Sequence, residues 1–390
     1  MPHAGIIESF FYIFAGAAVL ATLALYTRQP MLVAYIALGC LLGPYGFSWV
    51  DDPALLSEIA EFGIIFLLFL VGLDLQPAKL KNMLGESLLT ALGTTAAFFA
   101  LGFGVMIAFG FSPMEASVTG IAASFSSTIL GIKLLPTTAL HHRHVGEIVV
   151  SLLLIQDLLA ILAILLLTGL GADTQALLTS LASIFLGLPL LGAVALFGVR
   201  YGLLYLLRKF DAFHEYIFLI AIGWCLGIAN LAALFGLSLE IGAFIAGVSL
   251  ATSPIAQYIA ESLRPLRDFF LVLFFFSVGA ALDIQLIPDV WLPAVLLAAL
   301  LIAVKPMVFA GLLKVQGEEK VVAWEVGYRL GQASEFSLLL SYIAIANHLV
   351  SDGAALVIQF STVLTLVLSS YFVIFRYPSP IAPSARLRRD

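Results

Sequence analysis

The sequence predicts an all-α polytopic membrane protein with thirteen transmembrane helices, and three observations carry that prediction. Of its 390 residues, 62% are hydrophobic and 11% charged, whereas about a quarter of a soluble domain's residues are charged. Apolar runs of about 20 residues, the length that crosses a bilayer as a helix, recur between Pro, Gly and charged punctuation. Basic residues, finally, collect in every second connection between those runs.

The spans follow in order, each with bounds good to a few residues. The first covers roughly 5–26; no basic segment precedes it, so it reads as retained rather than as a cleaved signal. The second, roughly 31–49, starts after Pro30 and stops before Asp51 and Asp52. The third to sixth run roughly over 54–75, 82–110, 113–135 and 145–170. The seventh, roughly 174–207, is long enough to require tilt. The last six run roughly over 213–231, 236–252, 266–283, 289–314, 320–346 and 352–376. Residues 1–376 thus form one transmembrane domain, and 377–390 a short cytoplasmic tail.

Charge placement orients the chain. Arg28, Lys79, Lys81, Arg143, Arg200, Arg208, Lys209, Arg264, Arg267, Lys314, Lys320, Arg376, Arg386, Arg388 and Arg389 fall on one side, fifteen of the 18 basic residues. The alternate connections hold acidic residues instead, from Asp51 and Asp52 to Asp352. By the positive-inside rule the N-terminus is outside and the C-terminus cytoplasmic. Lys133, Lys305 and Arg329 remain within spans, Lys133 close enough to the inner end to snorkel. Cys40 and Cys225 lie in separate apolar runs and indicate neither a disulfide framework nor a metal motif.

An internal repeat is visible. Glu61-Phe62 with the run up to Val71-Gly72 resembles Asp268-Phe269 with the run up to Val278-Gly279, and Ala34-Tyr35-Ile36-Ala37 resembles Ala243-Phe244-Ile245-Ala246. Span three thereby matches span ten, and span two matches span nine. Seven spans separate each pair, so the repeats are inverted: about 5–170 and about 213–376, joined by a linker helix at about 174–207. Such repeats place their site where corresponding spans are interrupted near mid-membrane. Span five holds Ser124-Phe125-Ser126-Ser127-Thr128, and the repeat offset leads to Gly331-Gln332-Ala333-Ser334-Glu335 in span twelve. Unwound there, both would offer oxygens and half-helix partial charges to an ion.

Asp157 stands alone among Val149–Leu165. A carboxylate at mid-membrane costs about 3 kcal/mol or more, so its retention points to ion or proton handling. Twelve residues into its span, it lies about 18 Å deep, and Lys305 about 14 Å deep. Lys305 should pair with Asp157 or Glu335, or release its proton. Glu335 serves either as that partner or as a helix cap. Arg329 has Glu325 one turn earlier and pairs with it locally. Ser126, Ser127, Thr128 and Gln156 are the candidate oxygen ligands beside Asp157, with Gln332 at the second interruption. No cofactor is indicated, and nothing suggests nucleic-acid binding.

Taken in order, Leu42-Gly43-Pro44 with Gly46, Phe69-Leu70-Val71-Gly72-Leu73-Asp74, Ser126-Ser127-Thr128, Gln156-Asp157, Gly242–Gly247, Phe274-Phe275-Phe276-Ser277-Val278-Gly279 and Gly331-Gln332 with Glu335-Phe336 resemble the monovalent cation:proton antiporters, specifically the Kef-like branch of the second cation:proton antiporter family. The resemblance covers about residues 5–376. It implies a sodium/proton antiporter-like fold with crossed broken helices, a moving core of spans 4–6 and 11–13, a scaffold of the other spans, a homodimer in the bacterial inner membrane, and elevator transport. Gln156-Asp157 looks like the potassium-selective form, where sodium-transporting relatives often carry two acids or Asn-Asp. Kef-type proteins usually continue into a cytoplasmic nucleotide-binding regulatory domain; either this protein lacks it or the sequence is a piece cut before it.

One carboxylate that binds a proton or a cation, never both, suffices for electroneutral 1:1 exchange. A proton released from Lys305 would instead make exchange electrogenic. Weak-field amide, hydroxyl and carbonyl ligands suit potassium, with sodium the first alternative. An ion channel is a more distant reading that inverted repeats disfavour. No His-Glu-x-x-His motif supports an intramembrane enzyme. His141-His142-Arg143-His144 reads as pH-sensitive positive charge on the cytoplasmic side rather than a metal site.

Overall fold

Helix-stop chemistry and close backbone approach shape this all-helical chain more than hydropathy does. The computed structural model describes residues 6–50, 52–74, 77–135, 144–170, 186–210, 214–235, 237–253 and 256–379. In order the helices are α1 (Ile6–Thr27), α2 (Met31–Leu42), α3 (Pro53–Asp74), α4 (Pro77–Ala108), α5 (Pro113–Ser124), α6 (Thr128–Lys133) and α7 (His144–Leu170). Then come α8 (Leu188–Gly198), running through a π-helical turn (Val199–Leu203) into α9 (Leu204–Lys209), and α10 (His214–Leu234), α11 (Leu239–Ala251) and α12 (Ala256–Ala280). The last are α13 (Ile287–Val315), α14 (Lys320–Arg329), α15 (Glu335–Ala346) and α16 (Asp352–Arg376). Among the described residues seven helical segments, the run from α8 into α9 counted as one, are long and apolar enough to cross a membrane.

Each predicted window holds helix, with instructive differences. Span two, expected to reach 49, ends at Leu42, where Gly43 donates to Gly39 O at 2.8 Å and the chain folds back so that Phe47 donates to Leu41 O at 2.6 Å. Tyr45, Phe47 and Trp49 keep the window apolar after the helix has stopped. Span ten begins at Ala256, not 266; its first turns carry Glu261, Arg264 and Arg267, which depress hydropathy without breaking a helix. Helix α4 likewise starts at Pro77, before Lys79 and Lys81. Most of the first half of span seven lies outside the described residues.

The helices sort into two bundles by packing. In the flanking bundle α2 and α3 pack on α12, α3 also on α11, and α11 on α8 and α10. In the site bundle α4 packs on α5, α7 and α13; α13 on α14 and α16; and α15 on α5, α7 and α16. Small residues set the first bundle's geometry, as in membrane packing generally. A Cβ on Gly39 would collide with Phe276 O and one on Gly279 with Ile36 O; one on Gly72 would meet Phe244 O and one on Gly247 Phe69 O. The α2–α12 and α3–α11 contacts are therefore made alike, backbone against backbone. Between the bundles lies a largely apolar seam, in which Leu32, Ile36, Ile64, Leu68 and Phe275 share a cluster with residues of α5–α7, α13, α15 and α16.

At one end of the site bundle Ser112 and Glu115 form a capping box that starts α5. Glu115 also accepts the Ser351 hydroxyl and its N–H, which fixes the start of α16 beside it. One carboxylate thus positions two helix N-termini, where its charge is favourable.

Candidate functional site

Two interruptions define the site. Helix α5 stops at Ser124 and α6 begins at Thr128; α14 stops at Arg329 and α15 begins at Glu335. Each break leaves carbonyls at the end of one half-helix and N–H groups at the start of the next without helical partners. At the new starts, Ser127 Oγ accepts Leu130 N–H at 3.1 Å and Ser334 Oγ accepts Phe336 N–H at 3.1 Å. At the exposed carbonyl ends, Lys305 Nζ donates to Phe125 O at 2.7 Å and to Gln332 O at 2.9 Å. Fully buried and 4.9 Å from the Phe98 ring centre, the Lys305 amine bridges the two breaks from α13. Phe125 O is at the C-terminal end of α5, where a donor meets the partial negative charge of the half-helix.

The breaks also hold each other. Ser126 Oγ donates to Leu330 O at 2.8 Å, Gln332 Nε2 approaches Ser127 O at 3.5 Å, and Ser337 Oγ donates to Ala122 O at 2.6 Å. From α16, Thr365 Oγ1 accepts Ala333 N–H at 3.0 Å and Ser369 Oγ donates to Gln332 Oε1 at 3.0 Å.

Asp157, on α7, faces the start of α6. It is 6% exposed, and Thr128 Oγ1 lies 3.0 and 3.1 Å from its two carboxylate oxygens. Next to it Gln156 Oε1 accepts Ser126 N–H at 3.1 Å, while Gln156 Nε2 is buried with no hydrogen-bond partner. The carboxylate therefore lies at the start of α6, in reach of the Thr128 hydroxyl.

Of the residues the sequence singled out, the structure groups Asp157, Gln156, Ser126, Ser127, Thr128, Lys305 and Gln332 around the breaks. Their roles divide. Thr128 touches Asp157, Ser126 ties one break to the other, and Ser127 caps α6. Lys305 donates to two main-chain carbonyls, Phe125 O and Gln332 O. Glu335 opens α15 beside the Ser334 cap. Arg329 does pair with Glu325, at 2.7 and 3.0 Å, and also donates to Leu134 O at 2.9 Å and Pro378 O at 2.8 Å. His141, His142 and Arg143 lie outside the described residues; His144 contacts Glu318 at 2.9 Å.

Sequence reading missed Ser337, Thr365 and Ser369. A signal existed for two of them: Ser361, Thr362, Thr365 and Ser369 recur three and four residues apart and so share one face of the last helix. All four are buried.

Interrupted half-helices near mid-membrane are where inverted-repeat transporters build their sites. The sequence pattern of the family described as "Sodium/hydrogen exchanger, transmembrane" matches residues 11–375. The chain belongs to that family. Among similar proteins, K(+) efflux antiporter 4 of Arabidopsis thaliana is 32% identical over 87% of this chain and 58% of its own length. The iron transporter MagA of Paramagnetospirillum magneticum is 29% identical over 89% of this chain and 80% of its own. The sodium proton antiporter MjNhaP1 of Methanocaldococcus jannaschii has the same fold, with a TM-score of 0.65, 16% identity and coverage of 94% of this chain and 96% of that one. This chain spans about 58% of the length of the first of these relatives. Family membership and the apolar helices make it a multi-pass membrane protein.

Proposed function

We propose that this chain exchanges a monovalent cation for protons, with Asp157 as the shared carrier and potassium as the cation. The observation that carries the reading is the Thr128 hydroxyl on both oxygens of a buried Asp157, at the start of a half-helix. In that place the carboxylate binds a proton, or a cation with Thr128 Oγ1 and the Gln156 amide oxygen as neighbouring ligands. Either cargo neutralises it. The empty, charged form would have to carry its charge past the apolar seam between the bundles, which is costly, and so does not cross.

Exchange is then electroneutral, one cation for one proton. The commitment of Lys305 to the Phe125 and Gln332 carbonyls favours this over a transported lysine proton. Potassium is favoured by Gln156, which adds an amide oxygen without a second charge. The name of the Arabidopsis relative agrees with potassium; sodium is the alternative, and the iron transporter's name adds a third cation to test.

We further infer two inverted repeats, about 5–170 and 213–376, around the linker helix at about 174–207. The matched approaches of Gly39 to Phe276, Gly279 to Ile36, Gly72 to Phe244 and Gly247 to Phe69 support it. The site bundle moves as an elevator against the flanking bundle, which pairs with a second copy. Basic-residue placement supports a cytoplasmic C-terminus, and the family resemblance supports a bacterial inner membrane.

The test is exchange by purified protein in proteoliposomes under a pH gradient, with potassium, sodium, rubidium, lithium and iron(II) in turn. Saturable, proton-coupled flux preferring potassium is expected. Flux with no proton coupling would mean a channel.

A further inference from the structure

Helix α16 carries neighbouring residues whose partners lie in different bundles. Thr365 and Ser369, one turn apart, hold Ala333 and Gln332 of the second break. The next two residues reach the end of α1, which packs on α2 and α12 and so belongs to the flanking bundle. Ser370 Oγ lies 3.4 Å from the Gln29 side-chain amide, and the Tyr371 hydroxyl donates to Thr27 O at 3.2 Å.

The loop that presents Thr27 and Gln29 is well defined. Arg28 N–H donates to Leu25 O at 3.2 Å and Gln29 N–H to Ala24 O at 2.7 Å, with Arg28 at φ +59°. This is a Schellman closure of α1 with arginine in the left-handed position that glycine usually fills. The single Ser370 proton goes to Val367 O at 2.8 Å, and Gln29 Nε2 is buried with no hydrogen-bond partner. A half-turn of the Gln29 amide makes Nε2 the donor to Ser370 Oγ and satisfies both groups.

This polar contact edges a cleft of about 280 Å³ whose lining includes Arg28, Gln29, Tyr35, Leu130, Asp268 and Ser370. The cleft separates α2 and α12 from α6 and α16, and reaches α6 two residues beyond Thr128. Any slide of one bundle on the other has to change it.

The geometry points to α16 as the element that couples the state of Asp157 to the hold between the bundles. In this arrangement the Thr128 hydroxyl donates to Asp157. A cation on Asp157 requires that oxygen to present a lone pair, so the hydroxyl turns and the start of α6 shifts. Ser127 O, beside Gln332 Nε2, moves with it; Gln332 is held by Ser369, and Ser370 is the next residue of the same helix. Loading therefore loosens the Ser370–Gln29 and Tyr371–Thr27 contacts and frees the site bundle to move, while the empty carrier stays latched. Ser369 is a positioning residue in this scheme, and Ser370, Tyr371 and Gln29 are the latch.

The inference rests on Asp157 as carrier, and its test separates the two. Cys40 and Cys225 are first replaced by alanine. In that background Gln29→Cys and Ser370→Cys are combined, and the rate of cross-linking by a short bismaleimide is followed in proteoliposomes at pH 9, with saturating potassium chloride or with choline chloride. The expected result is at least threefold slower cross-linking in potassium, an effect lost when Asp157→Asn or Ser369→Ala is added. Equal rates in the two salts, or a potassium effect that survives Ser369→Ala, would overturn the coupling. A companion measurement needs no cysteine: Tyr371→Phe should change kcat at least threefold with the cation KM within twofold, and an unchanged kcat overturns the latch. If Asp157→Asn itself exchanges normally, the carrier assignment has failed rather than the latch.

Discussion

Thr128 Oγ1 lies 3.0 and 3.1 Å from the two carboxylate oxygens of Asp157, while the hydroxyl of the adjacent Ser127 turns back to cap α6. Two neighbouring hydroxyls thus have separable jobs. In the loaded carrier the Thr128 hydroxyl turns a lone pair to the cation, and losing a ligand worth about 1.4 kcal/mol weakens affinity about tenfold. Thr128→Ala should raise the cation KM about tenfold and Thr128→Ser should restore it. Ser127→Ala should leave KM within twofold and lower the melting temperature, since cap removal costs about 1 kcal/mol. Equal KM values for wild type and Thr128→Ala would remove that hydroxyl from the cation site.

Asp157→Asn keeps the shape and hydrogen-bonding capacity of the side chain but removes its titration. Exchange should fall at least a hundredfold in proteoliposomes, with gel-filtration profile and melting temperature retained or improved, because a buried charge has gone. Exchange within threefold of wild type would exclude Asp157 as carrier.

Competition for one carboxylate has a definite pH signature. As pH falls below the pKa of the loaded-competent carrier, protons occupy more of the sites, so apparent cation affinity weakens. Well below that pKa the cation KM should rise tenfold per pH unit, and above it the KM should become flat. Measured KM values that do not vary between pH 5 and 9 would rule out a single shared group.

Much of the site was legible because polar interruptions stand out in apolar runs. Ser124–Thr128 and Gly331–Glu335 could be paired through the repeat offset, and Asp157 and Lys305 are conspicuous at depth. The partner of Lys305 was not legible, for a plain reason: Phe125 O and Gln332 O are main-chain atoms, which every residue carries, so no side-chain pattern marks them. Nor could sequence separate Ser127 from Thr128. Their directions differ by about 100° around α6, and which one meets Asp157 depends on the residue at which the helix starts. The end of α2 at Leu42 escaped for the opposite reason, since Tyr45, Phe47 and Trp49 continue the apolar run through a turn.

Gln156 offers the sharpest control of charge at the site. Its Oε1 accepts Ser126 N–H at 3.1 Å and its buried Nε2 makes no hydrogen bond, so a carboxylate in its place displaces no donor contact. Gln156→Asp then puts a second acid beside Asp157, and two outcomes are physically distinct. If the neighbours share one proton, the pair titrates as a unit and exchange stays electroneutral with a steeper pH dependence. If both ionise against the Lys305 ammonium, the loaded carrier takes an extra charge across the membrane. We expect the second, because Lys305 holds the two carbonyl ends immediately behind this site. The measurement is exchange rate against a membrane potential set by an ion the protein does not carry. Wild-type rates should be independent of voltage, and those of Gln156→Asp should change severalfold across 100 mV, which acts on one charge with about 2.3 kcal/mol. Voltage dependence already present in the wild type would end the electroneutral account and assign a moving charge to Lys305 or Glu335.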